Sequence, residues 1–265
     1  IKAIERNFGG YEGSVTNMKK IFYEISKYNN INHRYNIVEN ISDNFKDPNS
    51  RYLLLISKNS TSQNLIEQII QKEKKQSVIY IGSQFKGDKS ESYTEEILYK
   101  IQMQMENEVI LILKGLEIIY PSLYDLFNQN FSEFNGNKYA KISFSNNQST
   151  SLINNNFKVV VLVDKQMIQF EDKPFLNRFE KHVISFENIL PQNYVRLVND
   201  INKKIEEMIN YESNDEKKNL KINLKKQLIN CDKEIIENLV FNETNNKKDL
   251  SDEEIASKIF ERIAP

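Results

Sequence analysis

Four stretches of this sequence carry side chains suited to phosphate chemistry, and each sits beside a short apolar run. Ser57-Lys58-Asn59-Ser60-Thr61-Ser62 follows the run at 52–56, Lys114-Gly115-Leu116-Glu117 follows 109–113, and Asp164 follows 159–163. The fourth, Pro174-Phe175-Leu176-Asn177-Arg178-Phe179-Glu180-Lys181-His182, leads into a weaker run at 183–186. A lysine ammonium and the N–H groups of a helix start can together meet a phosphate. Glutamate past one strand can polarise water, and a polar residue past another can sense a γ-phosphate. The planar fork of arginine can pair with transferring oxygens across a subunit boundary.

Each stretch also has a plainer reading. A phosphate loop wraps its anion with glycine backbone N–H groups ahead of the Lys and Ser/Thr. Here Lys58 comes directly after the apolar run and 57–62 holds no glycine, so a capped helix start with a surface lysine fits as well. Lys114 stands where a magnesium-binding Asp is expected and Glu117 is displaced, so a structural Glu117 stands beside the water-activating one. Asp164 also suits a turn that ends a strand. Arg178 is placed as an arginine finger or as a structural cation paired with Glu180 or a helix end. His182 has no companion Ser, Cys or metal cluster and reads as structural.

These residues need a scaffold, and the apolar pattern supplies one. Short runs at 52–56, 78–81, 109–113, 159–163 and 183–186 alternate with helical spacings: Leu65, Ile66, Ile69, Ile70; Ile97, Leu98, Ile101, Met105; Leu123, Leu126, Phe127. Apolar strands alternating with helices predict βαβ units and an α/β fold with a parallel sheet buried on both faces. Such sheets bind ligands outside the carboxyl ends of their strands, where the first three stretches lie. A hairpin from 139–144 to 151–153 interrupts the alternation.

Ahead of the sheet, Gly9-Gly10 ends a first helix. A second, with Val15, Met18, Ile21, Phe22 and Ile25, follows Ser14 as N-cap, 29–35 reads as a loop, and a short helix at 37–45 stops at Asp47-Pro48. Beyond 186 the pattern is helical at 194–209, 220–228, 235–241 and 253–263, with 212–218 expected to be a mobile charged loop. The expected divisions are 1–10, a helical lead-in at 11–50, a large α/β portion at 51–188 and a helical portion at 189–265.

Composition narrows the partners. The 36 basic residues balance 37 acidic ones, leaving net charge −1 and no electrostatic reason to expect nucleic acid or an anionic membrane. One cysteine, Cys231, excludes an internal disulfide, and with only His33 and His182 a zinc site is not expected. There is no basic-then-apolar leader and no apolar run of membrane-spanning length, so a reducing, cytoplasmic setting is expected. Opening at a helix end and stopping at Pro265 after an amphipathic run is the pattern of a piece cut from a longer chain.

Several segments together resemble one family. Arg6-Asn7-Phe8-Gly9, Arg51-Tyr-Leu-Leu-Leu-Ile-Ser-Lys-Asn59, Ser122-Leu-Tyr-Asp125 with Asn128-Gln129, Gly136-Asn-Lys-Tyr139 and Leu176-Asn-Arg-Phe-Glu-Lys-His182 occur in the order of the mysterin family. These are giant RING-type E3 ubiquitin ligases with a dynein-like arc of AAA+ units. The resemblance implies one divergent AAA+ unit: a three-layer parallel sheet core followed by a helical subdomain, with residues 1–10 as the tail of the preceding unit. It implies ATP at a boundary between units, held by Lys58, Asn59, Ser60 and Asp164, with Glu117 and Arg178 catalytic and Mg2+ doubtful because of Lys114. Hydrolysis would be coupled to ligase conformation. A catalytically inactive unit that completes the arc and transmits motion is the alternative. Adjacent AAA+ units of the same chain and, through the parent, the ubiquitin machinery are the implied partners. Zinc modules and lipid-droplet association would belong to the parent.

Overall fold

The computed structural model describes residues 2–8, 14–26, 36–58, 61–85, 88, 90–144, 147–168, 173–211, 233–246 and 250–263. The chain divides into two compact units, 1–184 and 185–265.

The first unit is built on five parallel strands: β1 (Leu53–Ser57), β2 (Ser77–Ile81), β3 (Ile110–Lys114), β7 (Lys158–Asp164) and β8 (Glu180–Val183). They lie in the order β2-β3-β7-β1-β8. β1, β3 and β7 are interior strands, which is why they read as unbroken Leu/Ile/Val runs: a residue on either face is buried. Side chains alternate across the sheet. Leu54, Ile56, Leu111, Leu113, Val159 and Val161 join a core with Ile97, Leu98, Ile101 and Met105 of α5 (Glu91–Met105). Their neighbours Leu53, Leu55, Ile110, Ile112 and Val160 are equally buried on the opposite face. α4 (Thr61–Lys72) follows β1 and packs against it. Three elements precede the sheet: α1 (Lys2–Phe8), α2 (Ser14–Ser26) and α3 (Ile37–Lys46). The side chain of Asn36 caps α3 by accepting from the N–H groups of Val38 and Glu39.

Between β3 and β7 the chain makes a 3-10 helix (Glu117–Leu123), a single turn α6 (Tyr124–Phe127) and an antiparallel sheet of β4 (Ser132–Phe134), β5 (Asn137–Phe144) and β6 (Asn147–Ile153). The expected hairpin is therefore present, widened by a short third strand. α7 (Lys173–Leu176) carries Phe175, which stacks on Tyr120 at 5.0 Å and meets Phe127 and Phe179 edge-on. This aromatic cluster closes the core beneath the 3-10 helix.

One strand departs from expectation. The sequence predicts a fifth run at 183–186, whereas β8 is Glu180–Val183, with Glu180 and His182 buried and Lys181 nearly so. Phe186 instead begins a short helix, α8 (Phe186–Ile189). A polar edge strand leaves no apolar run to read, because its side chains are satisfied by residues far away in sequence.

The second unit comprises α8, α9 (Gln192–Tyr211), α10 (Lys233–Asn246) and α11 (Asp252–Ile263). Leu197, Val198 and Ile201 of α9, Ile236 and Val240 of α10, and Ile255 and Ile259 of α11 are among its buried residues at helical spacing. Ser251 and Glu254 form a reciprocal capping box at the start of α11, and Arg262 donates to Glu243 at 2.6 Å. The expected ends of helix at Gly9-Gly10, the loop at 29–35, the helix at 220–228 and the loop at 212–218 lie outside the described residues.

Candidate functional site

The carboxyl ends of β3 and β7 border a cleft of about 370 Å³, lined by Ser62, Gln84, Lys114, Gly115, Glu117, Leu162, Val163, Asp164 and Met167. Register explains the assembly: Lys114 pairs with Leu162 of β7, and Asp164 pairs with Ser57 of β1. Glu117 enters as the first residue of the 3-10 helix. Gly82, just past β2, packs against the end of β3. Its N–H donates to the Lys114 carbonyl at 2.8 Å, and a Cβ there would lie 1.8 Å from the Gly115 carbonyl oxygen. Gly115 itself turns at φ 64°, a conformation that favours glycine.

Of the residues singled out by sequence, the cleft unites Glu117, Asp164 and Lys114. One Asp164 oxygen accepts the N–H of Gln166 at 2.8 Å. Among the described residues, Lys114, Glu117 and Asp164 form no ion pair with one another. Their combined formal charge is one positive against two negative. Lys58 directly follows β1 but is not among the lining residues, and Asn59 and Ser60 lie outside the described residues. Ser62, from the first of the marked stretches, also lines the cleft, whereas Gln84 and Met167 line it unannounced by any chemical pattern. Ser62 is held by the Ser57 hydroxyl, which donates to it at 2.8 Å.

A nucleoside triphosphate with magnesium fits this donor set poorly. Backbone amides freed by glycine are absent from 57–62, and Lys114 occupies the position of the metal-binding acid. Among the described residues no group of three or more His, Cys, Asp or Glu side chains is placed to hold a metal.

Arg178 stands apart from the cleft. It lies two residues ahead of β8, which runs parallel to β1, so it lies toward the amino edge of the sheet. Its guanidinium stacks over the Tyr124 ring with the central carbon 3.9 Å from the centroid. Nε and Nη1 are buried without an acceptor among the described residues. The expected structural pairing with Glu180 does not form.

Glu180 has other partners. Arg6 Nε and Asn44 Nδ2 each donate to its Oε2 at 2.9 Å, and His182 Nε2 donates to its Oε1 at 3.0 Å. Burial pushes this carboxyl up, but the donors from His182, Asn44 and Arg6 outweigh it and hold Glu180 below the ordinary carboxylate range. Next to it, Lys158 Nζ donates to the Asp47 carbonyl at 2.7 Å and to Ser50 Oγ at 2.8 Å. Burial lowers the Lys158 ammonium to about 8, against the opposing pull of Asp47 and Glu180. Arg51 donates to Asn7 at 2.6 Å and to the Asn177 carbonyl at 3.2 Å. Thus Arg6-Asn7, Arg51 and the Asn177-to-His182 stretch converge on one polar hub at the amino edge.

Among the described residues no helix is long and apolar enough to cross a membrane. A family model described as the RNF213 AAA domain matches residues 42–190. Among curated proteins, the chain is 26% identical over 166 residues to the E3 ubiquitin-protein ligase RNF213 of Homo sapiens, covering 62% of this chain and 3% of that protein. It is 27% identical over 143 residues to the Mus musculus protein of the same name, covering 53% and 3%. It is 29% identical over 191 residues to the E3 ubiquitin-protein ligase rnf213-beta of Danio rerio, covering 69% and 4%. The chain therefore spans only 3–4% of the length of these relatives.

Proposed function

Because the chain belongs to the RNF213 AAA domain family, we propose that it is a nucleotide-independent AAA+ unit of a much longer E3 ubiquitin-protein ligase, relaying motion between neighbouring units. One observation carries this reading: the cleft at the carboxyl edge presents Lys114 with Glu117 and Asp164, a net negative lining. A triphosphate would add several negative charges there without a glycine loop, or an acid to hold the magnesium that would offset them. The amino-edge hub supports the relay, since α1 is tied by Arg6 to β8 and by Asn7 to Arg51, two residues ahead of β1. In this reading α1 is the tail of the preceding unit. The adjacent units are the direct partners, and the ubiquitin machinery and a cytoplasmic setting come with the parent.

The competing reading is ATP binding and hydrolysis, with Lys58, Asn59 and Ser60 at the phosphates, Asp164 as sensor, Glu117 on water and Arg178 reaching a neighbour's nucleotide. Its support is Lys58 at the end of β1, immediately ahead of α4, and Arg178 standing outside its own unit's cleft. The test is ATP occupancy and turnover of the intact protein with Lys58→Ala and Glu117→Gln. Unchanged values in both variants are expected. A clear fall in either refutes the nucleotide-independent reading.

A further inference from the structure

The two lateral margins of the five-stranded sheet are finished differently. At one, β8 is covered: its Glu180 and His182 are buried, and Arg6 of α1 donates to Glu180. At the other, β2 pairs with β3 alone among the described strands. Ser77 is exposed, Val78, Ile79 and Tyr80 are half-buried, and Ile81 is 55% exposed. In a parallel ladder alternate residues turn both backbone groups toward the same neighbour. The Gln76 carbonyl accepts from the Ile110 N–H at 2.9 Å and the Gly82 N–H donates to the Lys114 carbonyl at 2.8 Å, so Gln76, Val78, Tyr80 and Gly82 face β3. Ser77, Ile79 and Ile81 therefore turn their N–H and C=O groups outward. Natural sheet margins are blunted by a charged residue, a proline or a bulge. The strand Ser77-Val-Ile-Tyr-Ile81 has none of these and keeps an unbroken register.

We propose that β2 is a docking strand for a second copy of this chain, joined antiparallel about a two-fold axis at Ile79. The outward groups select a strand as occupant, because an extended backbone presents donors and acceptors at the matching spacing. Their positions select its direction. In a parallel pair each bonding residue meets the two residues flanking its opposite number, so identical strands would have to slip by one position and lose their symmetry. In an antiparallel pair Ile79 exchanges both bonds with Ile79 of the second copy, and Ser77 does the same with Ile81. Composition selects the copy itself. Ile79 then lies against Ile79 on one face and Val78 against Tyr80 on the other, the β-branched and aromatic pairs that favour cross-strand contact. The strand brings no charge into the contact, and the interface closes on itself.

The experiment mixes light intact protein, carrying the photoreactive residue benzoylphenylalanine in place of Ile81, with unsubstituted protein labelled with heavy isotopes. Cross-links are mapped to the residue by mass spectrometry. A light–heavy link at or beside Ser77 is expected. Ile79→Pro deletes an outward N–H while leaving the ladder to β3 intact, and should lower the light–heavy yield at least about tenfold. Ile79→Lys sets like charges opposite each other across the axis and should lower it too. Urea unfolding shows whether each variant keeps its fold, and the map decides alone where one does not. The proposal is overturned by the absence of a light–heavy link, by a link to a different protein, or by a link at the carboxyl end of the strand, as a parallel pair would give. A yield indifferent to folded Ile79→Pro and Ile79→Lys overturns it as well.

Discussion

Replacing Glu180 should show how much the amino-edge hub contributes to the first unit. Its side chain is 4% exposed and accepts three hydrogen bonds of 2.9–3.0 Å from Arg6, Asn44 and His182. Glu180→Ala takes away the nearer of the Arg6 guanidinium's two carboxylates, leaving Asp47 at 3.5 Å, leaves Asn44 only the Arg51 carbonyl, and removes the acceptor of His182 Nε2. Removing one partner of a buried pair costs about 3–5 kcal/mol, and solvent access to Arg6, 23% exposed, sets the expectation at the lower end, about 3 kcal/mol. Glu180→Gln keeps the shape and one acceptor oxygen, so about 1.5–3 kcal/mol is expected, the range for a hydrogen bond to a charged group. The assay is urea unfolding of the 265-residue chain from pH 7 downward. Because the folded carboxyl titrates below the unfolded one, its contribution is fully present above the unfolded value near 4.5 and is lost as pH falls through the folded value. Glu180→Gln should therefore unfold more easily at pH 7 while losing less further stability below about pH 4.5 than the parent. A Glu180→Gln loss under about 0.5 kcal/mol at pH 7, or parallel acid limbs in both proteins, refutes this account of the hub.

Other perturbations probe separate features. Lys158 carries an ammonium lowered to about 8, so the unfolded chain binds more protons than the folded one between there and the ordinary lysine range. Stability should rise through that window, and the rise should shrink in Lys158→Met, read by urea midpoints at pH 7.5 to 10. Gly82→Ala drives a methyl into the Gly115 carbonyl and should cost at least about 2 kcal/mol, measured by urea unfolding. Tyr124→Ala removes the ring beneath Arg178 and should cost more than Tyr124→Phe, which keeps the stack and should stay within about 0.5 kcal/mol of the parent. Ser251→Ala breaks the capping box of α11 and should lower the stability of the helical unit by about 1 kcal/mol.

The interior strands were legible because β1, β3 and β7 bury both faces, which forces continuous Leu, Ile and Val. The cleft was legible in part for the same reason: where a buried parallel strand ends, the next residues are at the ligand edge. Lys114, Glu117 and Asp164 follow from that rule. Ser62, in the first turn of α4, lies in a stretch marked by the same rule, whereas Gln84 and Met167 reach the cleft through loop paths that no local pattern encodes. β8 was misplaced because Glu180 and His182 are buried with Arg6 and Asn44, and nothing in the neighbourhood of Glu180 announces partners 174 and 136 positions away. The family-specific stretches Arg6-Asn7 and Asn177 to His182 were legible as a resemblance, but their physical meaning required seeing them meet.

That meeting also orders events in time. Arg6 and Glu180 close a loop of 174 positions around the whole sheet, and bringing such distant ends together costs chain entropy before any contact repays it. β1, β3 and β7 can associate through apolar contacts without the hub. The hub is therefore a late acquisition on the way to the native state, and variants at Arg6, Asn44 or Glu180 should act on the rate of unfolding more than on the rate of folding. In stopped-flow chevrons the unfolding limb of Glu180→Gln should move up while the folding limb stays nearly in place. The same strand that finishes the sheet would then be the first to leave it, so that β8 and α1 are the part of this unit that opens first.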